Sequence, residues 1–245
     1  MGIVLSRPAR LIGGVALLIA PLVWFTGLLL RYLVPYAAGF GDARLAWFDR
    51  QTFAFPKELA AYAADPGFVV AAFAVFALAA LLLMPAVNAL GRPIASRSGW
   101  VAWFAVLGVA MMMFSFAARF YRAGVDHTAF MLVRAQGLDA ATNTIAQHYV
   151  DISYGPWNLA TLAHFLQYPG ALLLGLAAWN TGILGTARVL LWFYTWTIWG
   201  GVLKESEVAD LVGAGTLCVV LIPLGVRFLR DRVPVAGSRS SWLSW

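Results

Sequence analysis

Residues 159–184, LATLAHFLQYPGALLLGLAAWNTGIL, contain no Asp, Glu, Lys or Arg over a length sufficient to cross a bilayer. A membrane-spanning helix needs about 20 predominantly apolar residues to cover a hydrocarbon core of about 30 Å. The first half of this stretch nevertheless holds His164, Gln167, Tyr168 and Pro169. An anchor helix has no use for a polar, proline-bearing half, so a functional site is expected here.

Composition places the rest of the chain in the same solvent. Apolar residues make up 62% of the 245 positions and charged residues only 11%. Soluble domains have about 45–50% apolar and about 25% charged residues, so this chain has too little charge to cover a water-facing surface. Five further runs resemble the first. They are Leu11–Leu30, Gly67–Leu90, Trp100–Ala118, Val189–Leu203 and Ala209–Val226. With 159–184 they predict an all-α polytopic bundle of six spans in a single domain, 1–245. The fifth run is short, and snorkelling by Arg188 and Lys204 would extend its reach.

Charge placement predicts the orientation. With the N-terminus cytoplasmic, the inner side holds Arg7, Arg10, Arg92, Arg97, Arg188, Arg227, Arg230, Arg232 and Arg239, with Asp231 as its one acid. The other eight basic and ten acidic residues lie outside, which accounts for the chain's 17 basic and 11 acidic residues. Six spans with both termini cytoplasmic, in the cell membrane, satisfy the positive-inside rule. The net charge of +6 therefore follows from topology, and nucleic acid is not an expected partner.

Two outer segments connect the spans. Residues 32–66 interleave aromatic and charged side chains, which suits an interfacial position, and Pro56–Ala64 can form a short helix. Residues 119–155 predict two more short helices, one capped by Asp126 and ending at Gly137, the other beginning after Asp139. All three histidines and all but one of the acids fall on this outer side. Chemistry, if the chain performs any, belongs there.

Three constellations could carry it. His127, His148 and Asp151 are candidate metal ligands, with His148 and Asp151 on one helical face at i, i+3; local hydrogen bonding at the interface is the simpler reading. His164, Asp210 and Glu58 are candidate acid–base groups at a greasy cavity, since an ionisable residue entering the membrane points to function. Against that, Glu207 and Asp210 in the first turn of a helix would simply complement its dipole. Arg119 and Arg122 are candidate ligand-binding residues that could hold an anionic lipid head group or pair with the outer acids, and Gln167 and Tyr168 are further candidate ligand-binding residues in the fourth span. Interfacial anchoring is the plainer role for the two arginines. The triplet Met111-Met112-Met113 and the lone Cys218 read as packing. The cofactor is left open; Walker, dinucleotide-glycine, Gly-x-Ser-x-Gly and paired-cysteine motifs are absent from the sequence.

Several segments together resemble an uncharacterised family of small bacterial integral membrane proteins, a domain of unknown function. They are the leading RLIGGVALLIAPLVW, the second span AADPGFVVAAFAVFALAALLLMPAVNALGRP, the later PGALLLGLAAWNTGILGTARVLLWFYTWTIWGGVL and the final LIPLGVRFLR. The resemblance implies a six-helix membrane fold and brings no activity or cofactor. Three functions are therefore weighed. The first is a lipid-binding or accessory membrane component whose partners are lipids, a larger membrane complex or a second copy. The second is an integral-membrane enzyme acting on a lipid or isoprenoid. The third is a small transporter with spans broken at Pro21, Pro85, Pro169 and Pro223.

Overall fold

The computed structural model describes residues 6–154, 163–197 and 202–230. Among these the fold is all-α, with no strand. The helices are α1 (Arg7–Ala37), α2 (Asp42–Phe48), α3 (Phe55–Ala64), α4 (Pro66–Ala95), α5 (Trp100–Gln136), α6 (Leu138–Tyr154), α7 (Gln167–Asn180), α8 (Thr186–Thr195) and α9 (Val208–Leu229).

Four of them, α1, α4, α5 and α9, are long and apolar enough to cross a membrane. The fourth and fifth expected spans are shorter. Residues 159–162 and 198–201 lie outside the described residues, as do 155–158. What is described of the 159–184 stretch is a helical turn at 163–165, an interruption at Leu166 and the 14-residue α7. At 1.5 Å per residue α7 is about 21 Å long, too short to cross by itself. The 10-residue α8 is shorter still.

The six helices α1, α4, α5, α7, α8 and α9 nevertheless pack in a closed ring. Each contacts the next in the order α9, α1, α4, α5, α7, α8 and back to α9. Small residues let the backbones approach. A Cβ on Gly108 of α5 would lie 2.8 Å from the Gly170 carbonyl oxygen of α7, and one on Gly225 of α9 would lie 2.9 Å from the Gly14 carbonyl oxygen of α1. Without water to drive association, membrane helices gain most from such close packing.

Proline positions correct one expectation. Pro21, Pro85 and Pro223 lie inside continuous helices and break none of them. Pro169 sits in the first turn of α7, where its missing N–H costs little.

The second outer segment also differs from expectation. α5 runs unbroken from Trp100 through Arg119 and Asp126 to Gln136. Its buried positions explain why. Val101, Ala105, Gly108, Met112, Ser115, Arg119, Arg122, Asp126, Ala129 and Val133 alternate steps of three and four along one stripe. Asp126 is therefore an interior residue of a helix about 55 Å long and caps nothing.

Two apolar cores result. The bundle core includes Leu17, Trp24 and Leu28 of α1, Leu83 and Leu90 of α4, Met112 and Phe116 of α5, Leu174 of α7, Trp192 of α8 and Leu217 of α9. A second core gathers Val34, Phe48, Leu59, Tyr62, Val69, Phe130 and Ile145, from the ends of α1, α4 and α5 together with α2, α3 and α6. This second core forms a cap on one end of the bundle. In α1 the bundle core ends at Leu28 and the cap core starts at Val34; in α5 the corresponding residues are Phe116 and Ala129. The intervals between them are polar.

Candidate functional site

The polar layer is built by continuing two core stripes with charged residues. On α1, Trp24 and Leu28 are followed at the next core position by Arg31. On α5, Ser115 is followed by Arg119, Arg122 and Asp126. Each residue inherits the inward direction of its stripe, so the charges point into the molecule. Arg31 is 6% exposed, Arg119 8%, Arg122 9% and Asp126 6%.

The three arginines meet around a cavity of about 40 Å³, lined also by Trp24, Leu28, Phe73, Phe76, Asp126, Lys204, Glu205 and Asp210. A water needs about 10–15 Å³ on this measure, so about three water-sized groups fit. Aromatic faces hold the guanidinium groups in place. Arg31 lies 4.4 Å from the ring centre of Phe73 and 4.6 Å from that of Phe76, and Arg119 lies 4.8 Å from Trp24.

The partners of these charges are unequal. Arg31 donates through Nη2 to the Lys204 carbonyl, and Arg119 donates through Nη2 to Gln167 Oε1 at 2.6 Å. Both acceptors are neutral. Neither arginine forms an ion pair among the described residues, and the Nε of each is buried without a partner. The carboxylates around the cavity make their hydrogen bonds elsewhere, although Asp126 also acts electrostatically with Arg31 and Arg122, and Asp210 with Arg119. Asp126 Oδ1 accepts from the Leu203 N–H at 2.7 Å. Asp210 closes a capping box with Glu207, accepting from its N–H at 2.9 Å, and lies 3.7 Å from Lys204 Nζ. Glu205 pairs with Lys57. Four cationic groups, Arg31, Arg119, Arg122 and Lys204, thus line the cavity against three carboxylates, Asp126, Glu205 and Asp210.

The segment 202–207 closes the layer. Leu203 has φ +47, in the left-handed region that a branched side chain adopts only under constraint. Long-range contacts supply that constraint: Asp126 on the Leu203 N–H, Arg31 on the Lys204 carbonyl, Lys57 on Glu205, and the Tyr149 hydroxyl on the Val202 carbonyl at 3.3 Å. Burial opposes charge on Lys57, but its bonds to Glu205 and to Asp49, the latter at 3.0 Å, outweigh this and hold its pKa above the ordinary value.

The predicted site residues are partly assembled by this geometry. Arg119 is hydrogen-bonded to Gln167 and lines the cavity with Arg122, and Ser115 Oγ ties the 163–165 turn to α5 by donating to the His164 carbonyl at 2.8 Å. Tyr168 stacks on Phe165 at 6.2 Å, away from the cavity wall. The acid–base set is not brought to one cavity, since Asp210 lines it and His164 and Glu58 do not. His164 is buried with neither ring nitrogen partnered among the described residues, and the same holds for both carboxylate oxygens of Glu58.

The three candidate metal ligands do not cluster. His148 Nδ1 and Asp151 Oδ2 are 3.8 Å apart as an exposed pair on α6, whereas His127 lines a shallow recess with Val70, Phe73 and Phe130. Among the described residues no three such groups lie together.

Sequence reasoning missed Arg31, Lys204 and the inward direction of Asp126. A signal was present in the spacing Trp24, Leu28, Arg31, which continues the bundle-facing stripe of α1. Comparison with protein-family models, curated proteins and solved structures finds no match to this chain.

Proposed function

We propose that this chain is a membrane protein of six spans with both termini cytoplasmic, binding the anionic head group of a lipid in the polar layer beneath its outer cap. The six-helix ring supports the span count. The distribution of arginines between the two ends supports the orientation. On this reading α2, α3 and α6 lie at or beyond the outer interface.

One observation carries the binding function. Arg31 and Arg119 are buried at the cavity with only neutral hydrogen-bond acceptors, while the nearby carboxylates have partners of their own. Uncompensated buried cations are costly, and an anion that completes them recovers much of that cost. The cavity accommodates about three oxygen-sized groups, enough for the free oxygens of a phosphate head or the two of a carboxylate. Its apolar wall of Trp24, Leu28, Phe73 and Phe76 suits the first carbons of the attached chain.

A thermal-shift titration in maltoside micelles tests this reading, with phosphatidylglycerol as the anionic probe and phosphatidylcholine as the zwitterionic control. The anionic lipid should raise Tm in the wild type, with a much smaller rise in Arg119→Gln. Equal shifts with both lipids, or an undiminished shift in the variant, would contradict a head-group site.

A further inference from the structure

Glu58 does not line the cavity, but it lies on α3 next to Lys57, which pairs with the cavity-lining Glu205. Glu58 is 0% exposed, and among the described residues neither of its oxygens has a hydrogen-bond partner. The charged groups acting on it are Arg31 from α1, Asp126 from α5, Glu205 from the 202–207 segment and Lys57 from its own helix. α4 and α6 also pack against α3 and contribute none of these charges. Arg31 is the chief cation favouring the Glu58 carboxylate, and at the cavity its hydrogen bond goes to the neutral Lys204 carbonyl.

We propose that Glu58 is a proton-binding site linked to the anion site through Arg31, so that a bound head group and a proton on Glu58 enter the polar layer together. The inference rests on the head-group reading above. An anion beside Arg31 adds negative charge next to Glu58 and offsets the field that favours its carboxylate. The Glu58 carboxylate then takes one proton from water, and no bond other than its new O–H is formed. Burial already drives the Glu58 pKa up to about 8, ahead of the lowering by Arg31 and the raising by Glu205 and Asp126. The proton is therefore exchanged near neutral to alkaline pH. Linkage requires the reciprocal effect, that protonation of Glu58 tightens anion binding by the same factor.

Octyl sulfate in maltoside micelles is a suitable probe, because its sulfate group does not titrate between pH 6 and pH 10. Wild-type affinity should fall as pH rises above 8, by up to about tenfold per unit. Glu58→Gln, which imitates the protonated acid, should keep its pH 7.5 affinity at pH 9.5, a range above the titration of Asp126 at about 6. In weakly buffered wild-type protein at pH 8.5, binding should remove up to one proton per bound sulfate from solution, and this readout does not depend on the variant folding. An unchanged wild-type affinity across this range, an equal fall in the variant, or no proton uptake would overturn the linkage. Absence of octyl sulfate binding at pH 6 would instead overturn the head-group reading.

Discussion

Glu58→Gln should make the protein more heat-stable in alkaline solution while leaving it nearly unchanged in acid. The Glu58 carboxyl is fully buried and titrates at about 8 in place of 4.5. Between those values the folded protein holds a proton that the unfolded chain has released. Stability therefore falls as pH rises through this window, and the deficit is complete above about 8. The rise from 4.5 to about 8, at 1.36 kcal/mol per pH unit, sets a ceiling of about 5 kcal/mol. Glutamine keeps the shape of the protonated acid and is likewise without a partner, so the two proteins should match near pH 5. Thermal unfolding in one detergent from pH 5 to pH 9.5 checks this. The wild-type Tm should decline relative to the variant from about pH 5 to pH 8, and the gap should then hold constant. Curves that stay parallel over the whole range would refute the assignment of a buried, protonated Glu58.

Other perturbations probe the remaining parts of the structure. Gly108→Val places side-chain atoms where a Cβ alone is already 2.8 Å from Leu174 N, and should destabilise the α5–α7 contact by about 1–3 kcal/mol or prevent folding; a Tm equal to that of the wild type would show that these helices are not packed so closely. Asp126→Ala leaves the Leu203 N–H without its acceptor, at a cost of about 1–3 kcal/mol. Hydrogen exchange should then accelerate at residues 202–207 before the bundle is affected, and unchanged exchange would count against Asp126 as their tether. For topology, Thr52→Cys and Ser98→Cys in a Cys218→Ala background should differ in intact cells. A membrane-impermeant thiol reagent should label the first and spare the second; the reverse pattern would invert the orientation.

Much of the bundle was legible because long apolar runs are what helices able to cross a membrane require, and four such helices are present among the described residues. Leu11–Leu30, Gly67–Leu90 and Ala209–Val226 all fall within the observed α1, α4 and α9. The end of α5 was not legible from hydropathy. Arg119, Arg122 and Asp126 read as a departure from the membrane, yet they occupy the same three-and-four stripe as Met112 and Ser115. A charged residue ends an apolar run without ending a helix. The cap was missed for a related reason. Its core is assembled from Val34, Leu59, Phe130 and Ile145, which are far apart in sequence and individually unremarkable. Arg119, Arg122 and Gln167 could be nominated as binding residues from their types and depth. Arg31 looked like the simple bracket of a span, because its partners Phe73, Phe76 and Lys204 become visible only once α1, α4 and the 202–207 segment pack together. The prolines misled in the other direction, since Pro21, Pro85 and Pro223 are accommodated within continuous helices.

The most direct test of the polar layer as an anion site is a native mass spectrum of the protein released from mild detergent, beside the double variant Arg31→Gln/Arg119→Gln. The wild type should carry one phosphate- or carboxylate-bearing lipid above its bare mass of 26.6 kDa, and the variant should appear bare. A bare wild type, or a lipid held equally by both proteins, would contradict the head-group site.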